Sequence, residues 1–313
     1  MRIVFFGTPE LAVPSLREIA ARHDVTAVVC QPDRPKGRRR KPAPPPIKEW
    51  ALANGIPVHQ PTKLNDGTFE TWLTEQRPDA CALAAYGRIL KQPILDIPEH
   101  GFLNMHPSLL PKYRGPSPIQ SALIHGETET GITIMRISLE MDSGDIISQS
   151  TEKIASDDDG VTLTDRLSDR GAVMFADALD DVAAGTATFR PQDDNAATTC
   201  KILNKEDGLI HWSDSAADIN NFIRGAQPWP GAYTTLNDET YRIFRAEVLS
   251  ATSTGEPGTI VSTENRKIEV ATGDGTIAIT NLQAPGKKAM DADAFLRGRP
   301  LETGIRFGDA QCP

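Results

Sequence analysis

Arg2-Ile3-Val4-Phe5-Phe6-Gly7-Thr8-Pro9 opens with an apolar run closed by glycine and proline, and Leu11, Val13, Leu16, Ile19 and Ala20 follow at the spacing of one helix face. A short apolar run bounded by turn residues predicts a buried strand, and apolar positions three and four apart predict a helix packed on it. Thr8 stands where it can cap that helix, with Pro9 at the first helical position, where a missing N–H costs nothing. Val25-Thr26-Ala27-Val28-Val29-Cys30 is a second buried strand, so the opening is a βαβ unit, and such a unit dictates parallel strands. The turn lacks the Gly-x-Gly-x-x-Gly of a dinucleotide site, so an NAD reading has no motif to stand on.

Outward from this unit the same alternation continues. Helices are predicted at 47–54, 69–76, 119–125 and 162–184, and strands at 80–85, 102–106, 131–137 and 146–150, with a short extended piece at Val58-His59. The fold class expected is α/β: a Rossmann-like, mostly parallel sheet over residues 1–188. Periodicity then fades among Pro191, Asp193, Asp194 and Asn195, and residues 189–206 read as a linker. Residues 207–313 differ in kind. One helix at 216–224 precedes short strands at 233–236, 241–248, 259–261, 267–271 and 276–280, the pattern of a small, OB-like β-barrel.

With 313 residues, 39% of them apolar, the chain can bury a sizeable core. No apolar run approaches the roughly 20 residues of a membrane span. Met1 and Arg2 precede an apolar stretch too short for a secretion signal, so a cytoplasmic location is expected. Cys30, Cys81, Cys200 and Cys312 are widely spaced and form no Cys-x-x-Cys pair, which argues against a disulfide framework or a metal site. The formal net charge of −9 excludes a protein coated in positive charge, yet Arg34, Lys36, Arg38, Arg39, Arg40 and Lys41 place six cations in eight residues. Six prolines between Gln31 and Pro46 leave that stretch no helix or strand, and predict an exposed, mobile loop. A solvated charge run, or a nuclear localisation signal, would share its composition. Phosphate binding is favoured because the loop leaves the carboxyl end of the second strand, the edge where α/β sheets place ligands.

The candidate chemistry lies in Asn104-Met105-His106-Pro107-Ser108-Leu109-Leu110-Pro111. Period-2 geometry puts Asn104 and His106 on one face, and Pro107 ends the strand at the same sheet edge. An Asn and a His beside a turn are more often structural than catalytic, so the reading turns on a partner for His106. Asp142, in Glu140-Met141-Asp142-Ser143-Gly144-Asp145, has turn chemistry as a sufficient explanation until it is set beside that histidine.

Together with Lys112-Tyr113-Arg114-Gly115, Pro118-Ile119, Thr130-Gly131-Ile132-Thr133 and Met141-Asp142-Ser143-Gly144-Asp145, the stretch from Asn104 to Pro111 resembles the folate-dependent formyltransferase family. Phe6-Gly7-Thr8-Pro9, Gln31-Pro32-Asp33-Arg34-Pro35, Asn221-Phe222-Ile223-Arg224, Pro228-Trp229-Pro230 and Gly286-Lys287-Lys288-Ala289-Met290 are similar to those members that formylate the methionine carried by initiator tRNA. The resemblance implies transfer of the formyl group of 10-formyltetrahydrofolate to the amino group of methionyl-initiator tRNA, for translation initiation. It implies a catalytic triad of Asn104, His106 and Asp142, folate contacts at Ser108, Leu109, Leu110 and Pro111, and a pteridine seat at Tyr86, Gly87, Ile89 and Leu90. The cationic loop from Arg34 to Lys41 becomes the grip on the tRNA acceptor end. No metal and a monomeric enzyme are expected.

The chemistry fits these residue types. Formyl transfer develops an oxyanion that an Asn amide and a donating His can stabilise, and it needs one proton removed from the amine and one delivered to N10. Asp142 either orients His106 and raises its pKa or relays protons through a water. Ser108 could be a nucleophile, but no Gly-x-Ser-x-Gly elbow surrounds it, and a loop hydrogen bond suits it better. Pro107, Ser143 and Cys200 depart from the commonest family residues. Rival readings are a formyltransferase for a small amine, a formyl-tetrahydrofolate hydrolase and a non-catalytic RNA-binding protein. The first two leave the basic loop and β-rich module without purpose, and the third has no use for Asn104, His106 and Asp142 together.

Overall fold

The computed structural model describes residues 1–36, 41–250, 252 and 255–308. They form two compact units: Met1–Pro118, Glu129–Lys153 and Thr164–Lys201 make the first, and Ile119–Thr128, Ile154–Leu163 and the chain from Ile202 onward make the second.

In the first unit the chain runs β1 (Arg2–Gly7), α1 (Val13–Arg22), β2 (Asp24–Val29), β3 (Arg34–Lys36), β4 (Lys41–Ala43), α2 (Pro46–Ala53), β5 (Val58–His59), α3 (Thr68–Gln76), β6 (Ala80–Ala84), α4 (Gln92–Leu95) and β7 (Phe102–His106). α5 (Pro118–Ile124) precedes β8 (Glu129–Arg136), β9 (Ile146–Lys153) and the long α6 (Gly160–Ala184). Seven strands form one sheet in the order β5-β2-β1-β6-β7-β8-β9, parallel from β5 through β7 and antiparallel from β7 to β9. The expected mostly parallel α/β sheet is therefore what the chain builds.

β1 lies near the centre with Ile3, Val4, Phe5 and Phe6 inaccessible to solvent, as a strand covered on both faces requires. Phe6 meets the rings of Phe102, Tyr86 and Phe69 edge-on, at centroid distances of 5.2, 5.4 and 6.1 Å. Burying each such ring stabilises the fold by about 1.5–3 kcal/mol, and edge-to-face contact adds direction to that gain. In register, Gly7 lies opposite Ala84, and Leu83 opposite Asn104, so the carboxyl ends of β1, β6 and β7 come out along one edge.

Two local expectations are corrected. Thr8 does not cap a helix: a 3₁₀ turn at Glu10–Ala12 has Pro9 as its N-cap residue, and α1 begins only at Val13. The Thr8 hydroxyl donates instead to the Tyr86 carbonyl at 3.1 Å, tying the turn after β1 to the turn after β6. The proline-rich basic segment is not free of strand, because β3 and β4 pair antiparallel with Arg34 opposite Ala43, Pro35 opposite Pro42 and Lys36 opposite Lys41. Alternate pairs of an antiparallel ladder exchange no hydrogen bonds, so two opposed prolines fit without loss. Arg38, Arg39 and Arg40 lie outside the described residues.

In the second unit α7 (Ala216–Gly225) is capped by the Ser215 side chain and followed by β10 (Tyr233–Leu236), β11 (Glu239–Ser250), β12 (Ile260–Ser262), β13 (Ile268–Ala271), β14 (Thr276–Gln283), β15 (Met290–Asp291) and α8 (Ala292–Gly298). The strands form an antiparallel sheet, β10-β11-β14-β13-β12, with β15 on β14, curled into half a barrel. Its core is Trp212, Ile219, Ile223, Tyr241, Ile243 and their neighbours. α8 escaped the sequence reading; Phe295 is its buried anchor, and two short apolar steps carry little periodicity.

Gly131 in β8 has no room for a side chain, since a Cβ there would stand 2.3 Å from the Ser150 carbonyl and 2.4 Å from Leu109 Cδ2. Gly131→Ala is expected to destabilise the protein by about 1–3 kcal/mol, read as a lower urea midpoint. Burial pushes the Cys30 thiol up to about 11 and the Cys81 thiol well above its ordinary range. Both should therefore resist alkylation at pH 8 in the native protein and react fully once urea unfolds it, measured by peptide mass spectrometry.

Candidate active site

Asn104 and His106, both buried, share a face of β7 at the edge where β1 and β6 also end. The His106 ring is held from two sides. Its Nε2 lies 2.9 Å from the Tyr113 carbonyl, and its Nδ1 lies 3.6 Å from Asp142 Oδ2. A carbonyl only accepts, so Nε2 carries the hydrogen and Nδ1 is the nitrogen that faces the carboxylate. Asp142 Oδ2 in turn accepts the Gly115 N–H at 2.8 Å. Gly115 has φ +120°, and a Cβ there would fall 2.4 Å from the Cys200 carbonyl, so glycine is required for this approach.

The loop after β7 is stitched to β8 and β9. Thr133, paired opposite His106, donates its hydroxyl to the Ser108 carbonyl at 2.7 Å and accepts the Leu110 N–H at 3.1 Å. Gln149 donates to the Leu110 carbonyl at 2.8 Å. The Ser108 hydroxyl, fully buried, donates to the Lys112 carbonyl at 2.7 Å. Leu110 packs on Met135 and Ile146. On the far side, residues 198–200 run along the loop: Thr198 Oγ1 accepts from Tyr113 N, the Thr198 carbonyl from Arg114 N, and the Arg114 carbonyl from Cys200 N, at 2.8 to 2.9 Å. The carbonyl that holds His106 is thus itself held by a segment more than 80 residues away.

Tyr86, Gly87, Ile89 and Leu90 follow β6 along the same edge. Ala85 and Gly87 both take positive φ, +49° and +77°. The Tyr86 ring turns into the core, where burial raises its phenol to about 12, so toward the edge Tyr86 presents its main chain. Gln31 donates to the Tyr86 and Gly87 carbonyls at 2.9 and 3.2 Å, and Arg34 donates to Gln31 at 2.5 Å. Ile89 is 76% exposed. At the root of the basic segment Asp33 accepts from Lys48 at 2.9 Å and from Gln60 at 2.8 Å, which hold its carboxyl below the usual carboxylate range. A cavity of about 430 Å³ is lined by Arg136, Ser138, Glu140, Ser143, Asp145 and Asp194, and not by Asn104, His106 or Asp142.

The structure thus brings together Asn104, His106, Asp142 and the loop 108–111. It places Gly87 and Ile89 on the same edge, packs Leu90 into the core, and joins Arg34 to the turn through Gln31. Gln149, Gln192 and Thr198 escaped the sequence reading, and Thr133 entered it only within the motif 130–133, because no short-range spacing rule finds residues whose partners lie tens of positions away. Among the described residues, no group of His, Cys, Asp and Glu is placed to hold a metal ion.

The N-terminal formyl transferase family model matches residues 1–179, and the model for the family's C-terminal domain matches residues 202–300. A methionyl-tRNA formyltransferase of Geobacter metallireducens is 45% identical over 309 residues, covering 98% of this chain and 99% of the relative. One from Pelotomaculum thermopropionicum is 46% identical over 312 residues, covering 99% of both. Among solved structures, the N-formyltransferase of Helicobacter canadensis in complex with folinic acid and dTDP-3-aminofucose shares the fold at a TM-score of 0.68 and 20% identity, covering 90% of this chain and 98% of that one. With both domains of the family and full-length relatives at this identity, the chain belongs to the formyltransferase family.

Proposed function

We propose that this chain transfers the formyl group of 10-formyltetrahydrofolate to the amino group of methionyl-initiator tRNA, acting as a cytoplasmic monomer without a metal. The observation that carries the reading is the buried His106, pinned between the Tyr113 carbonyl and Asp142 at the sheet edge beside Asn104. Full-length similarity to methionyl-tRNA formyltransferases supports the choice of acceptor.

The donor fits the residues present. The turn after β6, where Ala85 and Gly87 take positive φ, offers main-chain polar groups, and exposed Ile89 offers apolar contact. Residues 86–90 and 108–111 would hold it through main chain and apolar side chains. When bound, the folate supplies an activated formyl group. The Asn104 amide then donates to the formyl oxygen as negative charge develops there, a form of stabilisation whose removal costs about 10²–10³ in rate. As the amine's bond to the formyl carbon forms and the bond to N10 breaks, His106 and Asp142 would take the proton that the amine gives up and return one to N10 of the departing tetrahydrofolate. With Oδ2 fixed by the Gly115 N–H, the carboxylate stands 3.6 Å from His106 Nδ1. Ser108, whose hydroxyl is spent on Lys112, shapes the loop, and transfer proceeds directly from donor to amine.

The reading is tested by following label from formyl-tetrahydrofolate into charged initiator tRNA, water and small amines. Label should enter the aminoacyl group of the tRNA; its appearance chiefly as formate or on a small amine sinks the assignment, and label on Ser108 or a cysteine sinks direct transfer. His106→Ala should lower kcat about 10²–10⁴-fold while the protein remains folded, as circular dichroism would show. Changing Arg38, Arg39 and Arg40 together to Ala should weaken tRNA binding and flatten its salt dependence, with folate binding intact, in filter-binding titrations across salt concentrations.

A further inference from the structure

Gln192 joins the two loops that hold the catalytic histidine. Its Oε1 accepts from Arg114 Nε at 3.1 Å and Nη2 at 2.9 Å, and its Nε2 donates to the carbonyls of Asp142 at 2.9 Å and Gly144 at 2.8 Å. A guanidinium only donates and a carbonyl only accepts, so the amide can sit one way round. Every hydrogen-bonding position of the amide is thereby used. Arg114 is buried, with Nη2 also on Asp194 at 2.7 Å.

Each end of this bridge sits one peptide from a group that touches His106. Arg114 is flanked by Tyr113, whose carbonyl takes His106 Nε2, and by Gly115, whose N–H fixes Asp142 Oδ2. Asp142 itself takes φ +52°, a conformation that non-glycine residues rarely adopt without support from outside. Gly144 is pressed onto β8 so closely that a Cβ would stand 1.8 Å from the Arg136 carbonyl. The loop is bonded within itself through Ser138, Glu140 and Ser143, while the carbonyls of Asp142 and Gly144 are held by the two donations from Gln192.

We propose that Gln192 is a positioning residue for formyl transfer: it sets the separation of His106 and Asp142 by clamping the Arg114 side chain to the Asp142–Gly144 main chain. This rests on the proposed roles of His106 and Asp142. Gln192 touches no substrate, and its effect passes through the loops.

Two variants test it. Gln192→Met keeps the volume and removes the hydrogen bonds to Arg114 and to the Asp142 and Gly144 carbonyls. Gln192→Glu keeps the acceptor for Arg114 but turns an oxygen toward the two carbonyls. Both should lower kcat about 10–100-fold, the scale of loss from an ångström of misplacement. Both should leave KM for the acceptor unchanged and move the midpoint of the His106 imidazole titration followed by NMR. Wild-type kcat in either variant overturns the proposal, and so does a fall in kcat with the titration unmoved, because a merely structural role would give that result. Should Gln192→Met fail to fold, Gln192→Glu carries the same test. If the wild-type protein passes label to another acceptor, the functional reading fails on its own, while the titration and the kcat for that acceptor still decide the role of Gln192.

Discussion

The hydrogen bond from His106 Nε2 to the Tyr113 carbonyl is the constraint around which the site is built. A histidine at a strand end could swing about its side-chain torsions, and a ring free to turn would present either nitrogen to Asp142. Occupying Nε2 with a backbone carbonyl removes that choice. The carbonyl must then be held, and Tyr113 takes φ +60° to present it. Residues 198–200 secure that peptide by pairing with its neighbours, so the chemistry of a strand end depends on a segment nearly a hundred residues later.

Of the eight described non-glycine residues with positive φ, three belong to loops that build the site: Ala85, Tyr113 and Asp142. Such conformations cost about 1–3 kcal/mol each and persist only where the surroundings over-determine them. Each has its own restraint close by: Gln31 on the Tyr86 and Gly87 carbonyls, Thr198 on the Tyr113 N–H, and Gln192 on the Asp142 carbonyl. The three restraints come from glutamine and threonine side chains, which fix backbone without adding charge near a reaction that must manage its own.

Much of this was legible in the sequence, and the reason is locality. The buried strand Arg2–Gly7 carries the continuous apolar run Ile3 to Phe6, and the Asn104 and His106 pair within Phe102–His106 follows from period-2 geometry. The Thr8 cap was misjudged because the local rule competed with a partner, the Tyr86 carbonyl, 78 residues away. The paired arms around the basic segment were missed because proline counts against strand in general, while two prolines facing each other are compatible with one antiparallel ladder. Gln192 and Thr198 left no trace, since a polar stretch without periodicity reads alike whether it is a passive connection or a clamp on a loop.

The charge distribution resolves an apparent conflict between an acidic protein and a polyanionic acceptor. A net charge of −9 would repel tRNA if it acted from a distance as one charge. At physiological ionic strength the screening length is about 8 Å, so an approaching phosphate senses the nearest cluster and not the sum over the chain. Six cations between Arg34 and Lys41, with no acid between Asp33 and Glu49, make that segment locally and strongly positive whatever the remainder carries. Asp33, the one acid at its border, is engaged by Lys48 and Gln60 and so offers the cations of the loop little competition. Arg34 reaches Gln31, and Gln31 holds the Tyr86–Gly87 main chain, so the root of the cationic segment and one wall of the catalytic edge share a single side chain. Arg34 is thereby placed within two hydrogen bonds of the turn proposed to seat the folate.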